Sequence, residues 1–308
     1  MILVTGGNGF VGRATLLSLD GEVASPPSSE LDLMANEQVL DYFSDTHPDV
    51  VIHLAARVGG IQANVSQPAS FLLDNVQIDT NVLRAVSRYK PEHVIVMLST
   101  CMYPDRLDDV AYPMDENQIE DGPPPSTNAS YAAAKRTLLH GVKALHAQYD
   151  TPYTALIPSN LYGPNDHFHS KASHFIAAAI SKIERARRDD LDSVEFFGTG
   201  AALRQFLYVQ DLARLIGRVV EQGPANRQFN VAPRHNLSIR ELALAVVGAS
   251  GYGGEVSFSG EGPDGQLRKD VTSAELTRWI PEWPEMETDL HSGLTKTIDW
   301  YRANVASR

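Results

Sequence analysis

The stretch "SYAAAKRTL" sets Tyr131 and Lys135 four residues apart, a spacing that puts a phenol and an ammonium on one face of a helix. The three alanines between them favour that helix and leave room for a ligand. A phenol ionises near pH ~10, too high for acid–base work at neutrality, and a neighbouring ammonium is expected to lower it. Surface Tyr/Lys pairs are common. This one follows, one helix later, the run "HVIVMLST", whose Ser99 is expected to end a strand where a sheet of this kind binds ligands. A hydroxyl there can hydrogen-bond a carbonyl while Tyr131 delivers a proton. Two residues on stands Cys101, the one cysteine of the chain. Read alone, a thiol at a strand end is either a small buried hydrophobe or a reactive thiolate.

A second group of residues has spacing of its own. "TGGNGFVG" gives Gly6, Gly9 and Gly12 as G-x-x-G-x-x-G, between an apolar β-branched run and a stretch of helical periodicity. Glycines there permit a tight turn and let a pyrophosphate approach the backbone, as in dinucleotide binding. The end of the second strand normally tells NAD from NADP, an acid there taking the ribose hydroxyls and an arginine a 2′-phosphate. Here that region is "VASPPSSELDL", with neither at the strand end; Arg13 is nearby and Asp32 could face the adenine.

These residues need a frame. Strand-like runs ("MILVTG", "EVAS", "DVVIHLAA", "HVIVMLST", "YTALIP") alternate with helical ones ("FVGRATLLSL", "NEQVLDYFSD", 69–89, 128–149) through the first half. That alternation is the mark of an α/β, Rossmann-type, doubly wound parallel sheet. After "PSNLYGP" the character changes to a helix with a basic end, a short "VEFFG" strand, and a helical tail. "FLYVQDLARLIGRVVEQ" and "QFNVA" read as a return to the sheet. The expected organisation is a dinucleotide-binding domain over 1–160, with a return segment near 205–232, and a mainly substrate-binding lobe over 161–308.

Composition narrows the classes. The chain has 308 residues, 43% hydrophobic and 21% charged, enough for a sizeable core. One cysteine excludes an internal disulfide. A net charge of −12 argues against nucleic acid or an anionic membrane as partner. No signal peptide and no apolar run of spanning length are visible, so a cytoplasmic protein is expected. His167, His169 and His174 lie close together, but their spacing is not a zinc signature and no metal is expected.

The glycine loop, Ser99 and Tyr131-x-x-x-Lys135 together resemble the extended short-chain dehydrogenases/reductases. "LAARVGGIQAN", "STCMYP", "SYAAAKRT", "PSNLYGPNDHFH", "SHFI", "LRQFLYVQDLA" and "PDGQLRKD" are similar in detail to the GDP-L-fucose synthase (GDP-4-keto-6-deoxymannose 3,5-epimerase/4-reductase) family. The resemblance implies NADP or NAD as cofactor, NADPH being usual in the family, and a GDP-linked sugar as substrate. It implies Ser99, Cys101, Tyr131, Lys135 and His174 as catalytic residues, with Cys101 and His174 on opposite faces of the sugar. It implies cofactor contacts at Gly6, Gly9, Phe10, Val11, Gly12, Asp32, Ala55, Ala56, Tyr131 and Lys135. Substrate contacts would come from Asn160, Lys182, Phe197, Arg204 and Lys269, and a homodimer through the helices at 68–89 and 128–149. The sequence departs from the family where Asn8 and "SPPSS" replace cofactor-binding arginines, and where Lys182 replaces an arginine. Alternatives left open are an enzyme that only epimerises or only reduces, on a related GDP-sugar such as a heptose, and an NAD(P)-binding regulator without catalysis.

Overall fold

The computed structural model describes residues 1–105, 112–168, 173–261 and 266–306. In chain order its first half contains β1 (Ile2–Thr5), α1 (Phe10–Leu16), β2 (Val23–Ala24), α2 (Asn36–Thr46) and β3 (Val50–His53). Then come α3 (Ile61–Ser66), α4 (Pro68–Tyr89), β4 (His93–Met97), α5 (Ala129–Tyr149) and β5 (Tyr153–Pro158). The second half contains β6 (Asn160–Tyr162), α6 (Phe175–Arg188), β7 (Ser193–Phe196), β8 (Leu203–Arg204), β9 (Phe206–Tyr208) and α7 (Val209–Gln222). It continues with β10 (Arg227–Val231), β11 (Leu237–Ser238), α8 (Ile239–Ser250), β12 (Glu255–Phe258), β13 (Arg268–Lys269) and a C-terminal helix, Leu290–Asn304.

The chain divides into two compact units, the first made of 1–104, 116–158 and 212–231, the second of 105–115, 159–211 and 232–308. The first holds a six-stranded sheet in the order β10-β5-β4-β3-β1-β2, with every pairing parallel. This is the doubly wound sheet expected. Every residue of β4 and β5 is buried, as strands covered by helices on both faces must be. Strand order reverses beside β1, so the loops after β1 and β3 leave the sheet next to each other, where such folds receive ligands. Of the stretches expected to return to this sheet, only Arg227–Val231 does so, beside β5. "FLY" instead pairs with β6, and the rest of that run is the amphipathic helix α7.

The second unit has a core of its own. Ile176, Ile180 and Ile183 of α6 pack with Leu242 and Val246 of α8 and with Leu294, Ile298 and Tyr301 of the C-terminal helix. Buried beside them, Glu184 accepts from Arg302 Nε at 2.9 Å and Nη2 at 2.7 Å, and from Arg187 Nη2 at 3.2 Å. Arg302 also donates to Ser250 O, so one guanidinium joins all three helices. A three-stranded sheet runs β11-β8-β13. Among the described residues no helix is long and apolar enough to cross a membrane.

Candidate active site

The glycine loop lies where the sheet topology requires it. Gly6 has φ +76°, and a Cβ there would stand 2.7 Å from Ala55 N, at the end of β3. A Cβ on Gly12 would lie 2.2 Å from Gly6 O, so α1 meets the turn at a distance no other residue permits. Gly9 N–H donates to Gly6 O at 3.0 Å and closes the turn. Phe10, Val11, Ala55 and Ala56 line this corner, all half-buried. Asp32 is exposed, its Oδ1 accepting from Met34 N at 2.9 Å in the turn that leads to α2.

Strand β4 stops at Met97, two residues short of the expected end. Ser99 then caps a 3₁₀ turn, Thr100–Met102, by accepting from Cys101 N at 3.2 Å. That bond turns the chain at Cys101, a residue only 6% exposed. Arg136 holds the turn from the other side. Its guanidinium donates to Met102 O at 3.0 Å, to Ile119 O and to Gly122 O at 2.9 Å. It feels the Cys101 sulfur electrostatically. The residue beside Lys135 in "AKRT" thus holds the backbone of the turn that carries Cys101, a role its type alone does not announce.

Tyr131 and Lys135 share one face of α5, with the ammonium 5.8 Å from the centre of the phenol ring. Phe71 of α4 meets Tyr131 edge-on at 6.4 Å. Lys135 is 2% exposed and has no ion pair among the described residues. The expected depression of the phenol does not occur. Burial, then the charges of Cys101 and Asp79, push the Tyr131 pKa well above its ordinary value of 10.0. Asp79 belongs to a buried chain: Thr5 Oγ1 lies 2.7 Å from His53 Nδ1, and His53 Nε2 lies 2.9 Å from Asp79 Oδ1. Its other oxygen, Oδ2, is buried without a hydrogen-bond partner. "DVVIHLAA" showed His53 only as one polar residue in an apolar run.

Four candidate residues, Ser99, Cys101, Tyr131 and Lys135, therefore stand together in the first unit. The glycine turn and the buried, unpaired ammonium fit a dinucleotide, which offers a pyrophosphate to the one and ribose hydroxyls to the other.

The remaining candidates lie in the second unit. His174 is the exposed N-cap of α6. Asp166 sits nearby, buried, with Oδ1 accepting from His167 N at 2.7 Å and Oδ2 without a partner. Burial raises the Asp166 pKa, and His174 opposes the shift. His169 lies outside the described residues. Arg204 and Lys269, 65 positions apart in sequence, are direct partners in the parallel β8–β13 pairing, so their side chains leave the same face of the sheet. Asn160 donates Nδ2–H to Gln205 O at 3.0 Å. Phe197 is 85% exposed with the Lys182 ammonium 5.8 Å from its ring centre, and Lys182 donates to Glu195 O.

Comparison with known proteins agrees with this geometry. The model of the NAD dependent epimerase/dehydratase family matches residues 2–232. The chain is 33% identical to GDP-L-fucose synthase of Dictyostelium discoideum, covering 98% of this chain and 95% of the relative. It is 32% identical to the GDP-L-fucose synthase of Escherichia coli (strain K12), over 98% and 97%. The solved GDP-L-fucose synthetase of Naegleria fowleri bound to NADP superposes with a TM-score of 0.90 at 30% identity, covering 99% of this chain and 93% of that one. A glycine turn that only glycine fits, a serine, tyrosine and lysine in the same unit, and full-length likeness to these enzymes place the chain in the NAD-dependent epimerase/dehydratase family, among the GDP-L-fucose synthases.

Proposed function

We propose that this protein epimerises C3 and C5 of a GDP-linked 4-keto-6-deoxy sugar and reduces C4, as a cytoplasmic, homodimeric enzyme. The observation that carries the reading is the 3₁₀ turn after β4. One hydrogen bond joins Cys101 to Ser99, and the thiol lies within electrostatic range of Tyr131. A lone thiol is of no use to simple reduction; beside a carbonyl-binding hydroxyl it is suited to moving protons on neighbouring carbons.

The chemistry divides among the residues as follows. Ser99 donates its hydroxyl to the C4 oxygen, which acidifies the protons on C3 and C5. Cys101 and His174, one from each face, remove such a proton and return one to the opposite side, and Ser99 and Tyr131 stabilise the enolate oxygen meanwhile. A bound NAD(P)H supplies hydride for C4. Tyr131, held neutral by its surroundings, gives its proton to the C4 oxygen, and Lys135 orients it. The adjacent cations Arg204 and Lys269 hold the diphosphate, with Asn160 and Lys182 nearby in the same role and Phe197 offered to the base. Helices α4 and α5, packed side by side, form the pairing face of the dimer.

The test is incubation with GDP-4-keto-6-deoxymannose in heavy water, with and without reduced cofactor. Deuterium entering C3 and C5, with the reduced L-sugar as product, is the expected result. Absence of both exchange and cofactor oxidation would remove this substrate. Cys101→Ala is expected to slow exchange by about 100-fold or more, the usual worth of one acid–base group.

A further inference from the structure

Arg136 follows Lys135 on α5, and every hydrogen bond it makes among the described residues goes to a backbone carbonyl. Met102 O, the next carbonyl after that of Cys101, takes two of these bonds, and Ile119 O and Gly122 O take the others. A half-buried guanidinium normally meets a carboxylate. Here none forms an ion pair with it among the described residues. In the adjoining 116–120 segment, Glu116 accepts from Asn230 N at 2.7 Å and Glu120 pairs with His140. Carbonyls anchor the cation without cancelling its charge, so a net positive potential remains beside the turn. Burial lowers the Arg136 pKa, and the charges of Glu120 and then Cys101 oppose that shift. The interaction is mutual: what a thiolate gives the guanidinium, the guanidinium gives the thiolate. On Tyr131 the same Cys101 charge adds to burial and holds the proton on. Two neighbouring acids are thereby driven apart, the thiol toward its anion and the phenol toward its neutral form. The other charged groups on the elements around the turn are Lys135 on α5, Glu116 and Glu120 ahead of that helix, and Asp79 on α4. The ammonium works with Arg136 and the acids work against it.

We propose that Arg136 is a positioning residue of the epimerisation, which clamps the turn bearing Cys101 to α5 and supplies the charge that keeps this thiol ionised at neutral pH. The proposal rests on the reading of Cys101 as a proton-transfer group and adds what sets the state of that group. A thiolate is the form that removes a proton, so the charge of Arg136 decides whether the first step can begin.

The ultraviolet absorbance of the thiolate tests it with no substrate present. Titrated from about pH 5 to 9, the difference between the full-length protein and its Cys101→Ser variant, made in each background, isolates this one thiol. The wild-type thiol is expected to ionise below the ~8.5 of a free cysteine. Arg136→Met should move that midpoint up by about one pH unit or more. Arg136→Gln keeps a donor for the carbonyls; it should shift the midpoint similarly, and it serves if melting curves show Arg136→Met unfolded. Arg136→Lys keeps the charge and should shift it by less than about half as much. In the heavy-water exchange assay at about pH 7, Arg136→Gln should lower kcat about tenfold with KM within about threefold, and raising the pH should restore the rate. An ordinary midpoint in the wild type, or an unmoved one in the neutral variants, would overturn the proposal. So would a slowed exchange that no rise in pH restores, because Arg136 would then serve only to hold the backbone. A wild type that exchanges no deuterium would instead remove the proposed substrate, and the absorbance titration would still decide on Arg136.

Discussion

Tyr131 is held in its neutral form by its surroundings, and this fixes which way its proton moves. Spacing alone made the Tyr131–Lys135 pair visible, but the sign of the shift was not legible in it. Burial keeps the proton on first, and the charges that add to it, Cys101 and Asp79, come from elements about 30 and 50 positions away. A phenol whose pKa is raised stays a donor below its ordinary value, so the reductive half-reaction should show no loss from this group between about pH 7 and 9. A pH profile of kcat for reduction measures that; a fall within this window that disappears in Tyr131→Phe would contradict it. The variant itself should reduce at least about 100-fold more slowly. Asp79→Asn removes one of the opposing charges and should bring the alkaline limb down in pH.

At the scale of elements, most strands and helices were legible because their periods are regular: 153–158 forms a strand and 129–149 a helix, within a residue of expectation. The end of β4 was not. A side chain, Ser99, captures the Cys101 amide and converts the last two residues of an apolar run into the start of a turn. Helix ends hold further consequences. Lys90, the C-cap of α4, has φ +51° and ψ +60°, a left-handed conformation that costs a residue with a Cβ. Lys90→Gly is expected to stabilise the protein by about 0.5–1 kcal/mol, read from urea midpoints. At the start of β4, His93 is buried, its Nε2 2.9 Å from Thr154 Oγ1, and burial pushes its pKa down to about 4. The unfolded chain binds that proton near 6.5 and the native one does not, so this stability is full above 6.5 and is lost as pH falls toward 4. The loss amounts to up to about 3 kcal/mol. Urea midpoints at several pH values should therefore fall less steeply over that range in His93→Gln than in the wild type.

At the scale of the whole molecule, the two units differ in how much the sequence announced. The first carries local motifs, and local motifs can be read. The cations Arg204 and Lys269 become neighbours only through the pairing of two short strands, which no periodicity of two residues can signal. The second unit is also tied by a buried charge. Removing Arg302 would leave the Glu184 carboxylate without its principal partner, and Arg302→Met should cost about 2–3 kcal/mol of stability. Calorimetry should find that Glu184→Gln combined with Arg302→Met is less destabilised than Arg302→Met alone, since the stranded charge is then gone. Finally, the chain has a single thiol, on the turn that Ser99 caps and Arg136 holds, in the proposed reaction centre. The protein is thus its own reporter: each adduct of a cysteine-directed reagent adds one mass increment per chain and counts one reaction centre. The rate of its appearance, with and without a bound nucleotide sugar, gives a footprint of occupancy that needs neither a chromophore nor an engineered label.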